Sequence, residues 1–210
     1  MSSIYAVQMD IPAEHEATFN RVYDEDHIPT ILKVPGVRGC RRYHLERSTQ
    51  TGMPHYLAVY EIDNPGVVES PAWLEGIEIG DWKPKVRPHT TNRMHSVFQR
   101  IGGGAAKGRG HLFFVQMNIA AEHEPEFNRV YDSEHFPMLT KVPGVLSSAR
   151  YRLDNSNNPK MQRWLTVYEV EAPAVLETPA WAEAGSYGSW ATKIRPLTTD
   201  RHHTLFRTIA

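Results

Sequence analysis

From Tyr5 to Ile11 the chain alternates: Val7, Met9 and Ile11 fall on one side and Ala6, Gln8 and Asp10 on the other. That period of two predicts a strand with two unlike faces. The period then lengthens. Through AEHEATFNRVYDEDH, Phe19, Val22, Tyr23 and later Ile31 recur at helical spacing behind an acidic first turn, which predicts a helix starting near Ala13. Pro29 lacks a backbone N–H and crowds the preceding turn, so this helix must kink or restart around Asp26 to Ile28 before Pro35 and Gly36 end it. His27 lies at that break. Arg41 to Leu45 and Tyr56 to Ile62 read as a hairpin around a solvated loop, ERSTQTGMPH. NPGVVESPAWLEG predicts a short helix opened by prolines. TTNRMHSVFQRI predicts a final strand with Arg93, His95 and Val97 on one face and Met94, Ser96 and Phe98 on the other.

Every one of these elements returns 108 residues later, without a gap from Val7/Val115 to Phe98/Phe206, and about half of the paired positions are identical. The order β-α-β-β-α-β is the ferredoxin-like unit, an antiparallel sheet with two helices on one face and the other face bare. A bare four-stranded face would leave several hundred square ångströms of apolar surface in water, which soluble monomers rarely tolerate. The second copy is the natural cover. The expected fold is therefore α+β: two ferredoxin-like βαββαβ repeats, pairing through antiparallel sheets into an intrachain α/β barrel. The repeats would span 1–102 and 111–210, joined by a flexible Gly-rich linker at 103–110.

Composition narrows the partners. With 40% hydrophobic residues, 22% charged residues and a formal net charge of −1, the chain can fill a core but has no basic excess for nucleic acid. No window approaches ~18 consecutive apolar residues and MSSIYAVQMD does not read as a secretory signal, so no membrane partner is expected. The single Cys40 excludes an intrachain disulfide, and the expectation is a cytoplasmic protein with a small-molecule partner, able to form a homodimer of pseudo-dimeric chains.

The chemistry concentrates in one phrase, FNRVYDEDHIPTILKVPGV, repeated as FNRVYDSEHFPMLTKVPGV. Tyr23 and His27, like Tyr131 and His135, are spaced i and i+4 and share a helix face, so both could reach one small ligand between helix and sheet. Asp24, Asp26, Asp132 and Glu134 flank them and could fix the imidazole tautomer and raise its pKa. Equally, His27 could cap the broken helix while Tyr23 packs in the core. Arg93, Arg201, His95 and His203 project from one face of the last strand, either into a pocket or into an interface. Gln8, Gln116, Tyr60, Tyr168, Arg42 and Arg150 could orient a carbonyl or carboxylate, or serve structural bonds. Trp73, Trp181, Trp82 and Trp190 suit an aromatic or polyketide-like ligand, or plug the core. His15 and His123 stand at a solvated helix start, and no cluster has metal-ligand spacing, so no metal is expected. Walker, G-x-G-x-x-G and G-x-S-x-G motifs are missing. Differences at Cys40/Ser148, Arg41/Ala149, His44/Arg152, His55/Arg163, His89/Leu197 and Met94/His202 imply two related but unequal pockets.

The pattern Tyr-x-x-x-His-x-Pro followed by Val-Pro-Gly-Val resembles the EthD-like branch of the dimeric α/β-barrel superfamily, over essentially both halves of the chain. The resemblance implies two ferredoxin-like units paired through their sheets. It also implies one of several activities: cofactor-free lyases, isomerases, decarboxylases and polyketide cyclases, beside haem-using and stress-response branches. Where that family has an acid/base histidine, the matching residues are His27 and His135, with Tyr23 and Tyr131 one turn before. The expectation is a lyase, isomerase or cyclase without a cofactor, acting on a small apolar carbonyl or phenolic compound. The alternatives are a non-catalytic ligand-binding protein and a haem- or oxygen-dependent enzyme.

Overall fold

The computed structural model describes residues 2–104 and 106–209. Its strands are β1 (Ser3–Asp10), β2 (Val37–Ser48), β3 (Tyr56–Ile62), β4 (Thr91–Gly103), β5 (His111–Ile119), β6 (Val145–Ser156), β7 (Trp164–Val170) and β8 (Thr198–Thr208). They close into one antiparallel barrel in the order β1-β3-β2-β8-β5-β7-β6-β4. Each half supplies four neighbouring strands, and β2–β8 and β4–β6 form the seams. The two bare faces predicted from the alternation curl around a common interior, and their edges hydrogen-bond, so no ladder is left open. Like hydroxyl pairs lie at both seams: Ser48 with Thr204 and Ser96 with Ser156, each at 2.9 Å.

An eight-stranded barrel encloses just enough room for its own side chains. Leu57, Phe98, Leu112, Phe114, Leu165 and Phe206 fill it. Gln8 and Gln116, expected among the ligand contacts, alternate with Val7/Met9 and Val115/Met117 and so lie on this inner face, buried in the packed interior. The amide of Gln116 bonds the Met161 sulfur at 3.2 Å rather than facing a ligand space.

The outer faces carry the helices α1 (Ala13–Val22), α2 (Ile28–Ile31) and α3 (Pro71–Gly76) in the first half. The second half has α4 (Glu124–Val130), α5 (Phe136–Thr140) and α6 (Pro179–Ser186). Two separate apolar clusters lie beneath them. The break expected at Pro29 is resolved by widening rather than kinking: Tyr23–His27 is a π turn, closed by the Ile28 N–H on the Tyr23 carbonyl. Lengthening the ladder to i→i+5 accommodates a proline that can neither donate nor fit beside the preceding turn. Tyr131–His135 repeats it before Pro137. Gly36 then ends the turn at φ +90°, where a Cβ would sit 2.6 Å from a Val67 methyl.

The Gly-rich segment between the halves is tied down. The Lys107 and Arg109 N–H groups donate to the Glu169 carboxylate at 2.6 and 2.5 Å, and the Ser147 hydroxyl donates to it at 2.8 Å. Among the described residues, no helix is long and apolar enough to cross a membrane.

Candidate functional site

A hollow lies between helices and barrel wall in each half, where the Tyr–His phrase predicts one. Each π turn presents its tyrosine and histidine edge to face, with ring centroids 5.1 Å apart for Tyr23–His27 and 4.9 Å for Tyr131–His135. The imidazoles lie nearly flat on indoles: His27 on Trp82 at 4.7 Å and 24°, His135 on Trp190 at 4.3 Å and 21°. Both are 6% exposed, and Nδ1 of each is buried without a hydrogen-bond partner. Neither ring therefore caps the broken helix. A proton on such a nitrogen would go unsatisfied, at about 1–3 kcal/mol, so the neutral tautomer protonated on Nε2 is favoured.

The flanking carboxylates do not orient these rings. Asp24 takes Arg42 at 2.8 Å, Asp132 takes Arg150, and Asp26 and Glu134 accept the Asp81 and Ser189 N–H groups at 2.6 Å. Arg42 and Arg150 also lie over Tyr23 and Tyr131, at 4.6 and 4.3 Å from the ring centroids, so these arginines serve the scaffold. Instead of being raised, the imidazole pKa values fall. Burial lowers His27 to about 4 against a smaller opposing pull from Asp26. Burial, then Arg150, Arg201 and Arg195, lowers His135 to about 3. Burial followed by neighbouring arginines also brings His95 and His203 to about 4.

The two hollows differ fourfold in size. The first, about 140 Å³, is lined by Tyr5, Tyr23, His27, Tyr60, Trp73, Trp82, Arg87, Arg93 and His95. Trp73, 3% exposed, plugs it edge-on to Tyr5 and Tyr60 at 5.3 and 5.5 Å, and the Tyr5 hydroxyl pairs with His95 Nδ1 at 2.5 Å. The second cavity, about 560 Å³, is lined by Tyr131, His135, Tyr168, Trp181, Trp190, Arg195, Arg201 and His203 with several apolar residues. Of the twelve predicted site residues, ten thus gather into two sets of five; Gln8 and Gln116 do not. The Tyr131 phenol accepts a bond from the Thr166 hydroxyl at 2.9 Å, where the first half has Ala58.

The extra room comes from substitutions that sequence reasoning passed over. Tyr5, Leu74 and Ile77 are replaced by Phe113, Ala182 and Gly185. The first leaves His203 without its hydroxyl partner, and the last removes from the wall the bulk that Ile77 supplies in the smaller hollow, whereas Leu74 is exposed and does not line it. A Cβ at Gly185 would meet nothing within 4 Å. These differences were visible in the aligned halves. No local signal could show that Arg47, Ser48 and Thr49, from the first half's hairpin, border the second half's cavity. Thr49 accepts the His203 N–H at 2.9 Å, and Arg47 pairs with Glu177 at 2.9 Å.

His15 stacks on His89 with ring centroids 3.6 Å apart. Among the described residues no group of three or more His, Cys, Asp or Glu side chains could hold a metal ion.

No family model and no curated protein matches the chain by sequence. By shape it is similar to solved dimeric α/β-barrel proteins. An anthrone oxidase-like protein aligns over 100% of this chain and 91% of its own, with TM-score 0.67 and 9% identity. A candidate monooxygenase from Fusobacterium nucleatum aligns over 100% and 93%, with TM-score 0.63 and 10% identity. A chlorite dismutase from Candidatus Nitrospira defluvii aligns over 100% and 91%, with TM-score 0.63 and 10% identity. At such identities the likeness establishes the fold, an α/β barrel of the dimeric type within one chain.

The expected lyase, isomerase or cyclase is corrected by these findings. These three proteins are named as anthrone oxidase-like, as a monooxygenase and as a chlorite dismutase. The acid/base role that the resemblance implies for His27 and His135 meets rings that burial holds neutral. An imidazole held near 3 or 4, with no carboxylate partner, is a poor base at neutral pH.

Proposed function

We propose that the second-half cavity is the active site of an oxygen-dependent oxidase or monooxygenase acting on a flat, mostly apolar ring compound. The observation that carries this reading is the space of about 560 Å³ under the Tyr131–His135 turn. It falls in the ~300–1,000 Å³ range of small-molecule sites and is walled by aromatic and aliphatic side chains, with His135, His203 and three arginines converging on it. The oxidase and monooxygenase names of similarly shaped proteins support the same class, and the EthD-like phrase supplies its Tyr–His pair. In this reading 1–102 and 111–210 are copies of one unit joined at 103–110, and the second copy retains the open site.

The chemistry suited to such a site is oxidation of a methylene activated by a neighbouring ring carbonyl or phenol, R₂CH₂ + O₂ → R₂C=O + H₂O. One oxygen atom enters the new carbonyl, the other leaves as water, and the substrate supplies all four electrons. Trp181 and Trp190 offer faces for the ring system. The Nε2–H of neutral His135 donates to the substrate oxygen on which charge develops.

The fold class also raises haem, which when bound supplies oxygen or peroxide activation at iron. A ligating imidazole almost always donates its second N–H to a carboxylate, carbonyl or water. Among the described residues neither His135 nor His203 has a carboxylate or carbonyl partner for its ring, and Nδ1 of His135 is buried with no partner. The residues do not fit that group, and no step is assigned to it.

Oxygen uptake with anthrone-type and hydroxynaphthalene compounds tests the reading. Uptake matching product formation is expected, with His135→Ala lowering kcat about a hundredfold, as for loss of one oxyanion donor. Absence of uptake with every compound, or an unimpaired His135→Ala variant, overturns it. A Soret band in freshly purified protein overturns the exclusion of haem.

A further inference from the structure

The charge around the larger cavity is one-sided. Its lining includes Arg47, Arg195 and Arg201 and no Asp or Glu. Arg47 is engaged by Glu177 at 2.9 Å, but neither Arg195 nor Arg201 has an ion-pair partner among the described residues. Arg201 is half-buried, with Nε out of reach of water and unbonded. Removing a guanidinium from water without compensation is costly, and here its pKa is lowered by burial and then by Arg195. The field reaches the imidazoles, since Arg201 and Arg195 also depress His135 and His203.

The first half keeps Arg93 equally without an ion pair among the described residues, its Nε also buried and unbonded, but neutralises the other arginine of the frame. Arg87, the counterpart of Arg195, bonds Glu78 at 2.6 Å. The position equivalent to Glu78 is Ser186, one residue after Gly185, the counterpart of Ile77. Two adjacent substitutions therefore distinguish the halves: one opens the wall, and the other withdraws the acid.

We propose that the second-half cavity selects ligands with a flat apolar body and one anionic oxygen group, gripped by Arg195 and Arg201, and that Gly185 and Ser186 confer this selectivity. The inference rests on the cavity being the ligand site and names the substrate class for the oxidation proposed above. The anionic oxygen can be a permanent carboxylate or the enolate or phenolate formed at the reacting ring. A deprotonated ring oxygen is stabilised by the same arginines that add to burial in keeping the imidazoles neutral.

Binding without turnover tests it, read by quenching of Trp181 and Trp190 fluorescence under nitrogen. The probes are naphthalene-2-carboxylate, neutral naphthalene-2-methanol and 2-naphthol. Naphthalene-2-carboxylate is expected to bind about tenfold to a hundredfold more tightly than the alcohol, the worth of one charge-assisted hydrogen bond. Ser186→Glu, at an exposed position that tolerates the change, should erase most of that preference while sparing the alcohol. Gly185→Ile should weaken all three probes, with folding checked by circular dichroism. A carboxylate preference constant from pH 6 to 10 identifies a built-in carboxylate subsite. Binding of 2-naphthol that strengthens as it ionises identifies an oxyanion subsite. Equal binding of carboxylate and alcohol, or a preference unchanged in both Ser186→Glu and Arg201→Met, overturns the proposal. Oxygen uptake is not measured, so failure here leaves the oxidase reading standing, and failure of oxygen uptake leaves this one standing.

Discussion

Each half of the protein buries an arginine side chain against a tyrosine ring and neutralises it with a carboxylate from the turn that carries the histidine. The Arg150 side chain is 2% exposed while its partner Asp132 is 61% exposed. The pair is therefore asymmetric: removing the acid strands a buried cation, whereas removing the cation frees an acid into water. Asp132→Ala is expected to destabilise the fold by about 1–3 kcal/mol, the lower end favoured because solvent screens the exposed carboxylate. Urea denaturation measures this, and Arg150→Met in the same background should recover part of the loss. If Asp132→Ala unfolds at the wild-type midpoint, the pair holds nothing in place. The Arg42/Arg150 pair was legible in the sequence as polar residues on strands, but its scaffold role was not. That role depends on Asp24 and Asp132, 18 residues earlier in the chain, facing the strand across the layer.

The helix–turn–strand passage is where local chemistry decides most. His-x-Pro forced an irregularity at residues 27 to 29, and the chain answered with a π turn that keeps tyrosine and histidine over the same indole. The Val-Pro-Gly stop works through backbone sign. Gly144 has φ +88°, and a Cβ there would lie 2.5 Å from a Val175 methyl. Gly144→Ala combines left-handed strain with a clash against a buried neighbour, so a loss of about 1–3 kcal/mol is expected. Gly52, with φ +70° and open space around its Cβ position, is the control, and its alanine variant should lose less. Equal melting temperatures for the two variants would show that the clash with Val175 is absorbed without loss.

Packing of the helices against the barrel wall gives the whole molecule a particular response to acid. His27, His95 and His203 have folded pKa values near 4 and His135 near 3, below the ~6.5 of an unfolded histidine. Below pH ~6.5 the unfolded chain binds protons that the folded chain refuses, so stability falls as pH falls through that window. Glu169 acts lower down. Burial alone would raise its pKa, but the Lys107 and Arg109 N–H groups and the Ser147 hydroxyl outweigh it and hold it down. Its contribution is therefore present above the ordinary glutamate value of ~4.3 and is lost as pH falls below it. Denaturant midpoints are expected to drop between pH 7 and 5, less steeply in a His95→Gln/His203→Gln variant. Glu169→Gln should lower the midpoint at pH 7 and flatten the profile only below pH ~4.3. A wild-type midpoint unchanged from pH 7 to 5 would contradict neutral, buried imidazoles.

The linear pattern alone determined the elements, their order and their repetition 108 residues apart. Alternation, helical spacing and the proline and glycine stops are set by a residue and its near neighbours. It also placed the Tyr–His phrase on a helix facing the sheet, because i and i+4 share a face whatever else the chain does. Tertiary structure alone decided that the sheets join at their edges, that Gln8 and Gln116 face a filled interior, and that Glu169 holds the linker. It also decided that the hairpin of one half borders the cavity of the other. Each of these depends on groups far apart in sequence meeting across a closed surface. The inequality of the two hollows lies between these cases. Ile77/Gly185 and Glu78/Ser186 were visible as letters, but only the packed wall shows that one residue fills the space and the other neutralises the arginine beside it.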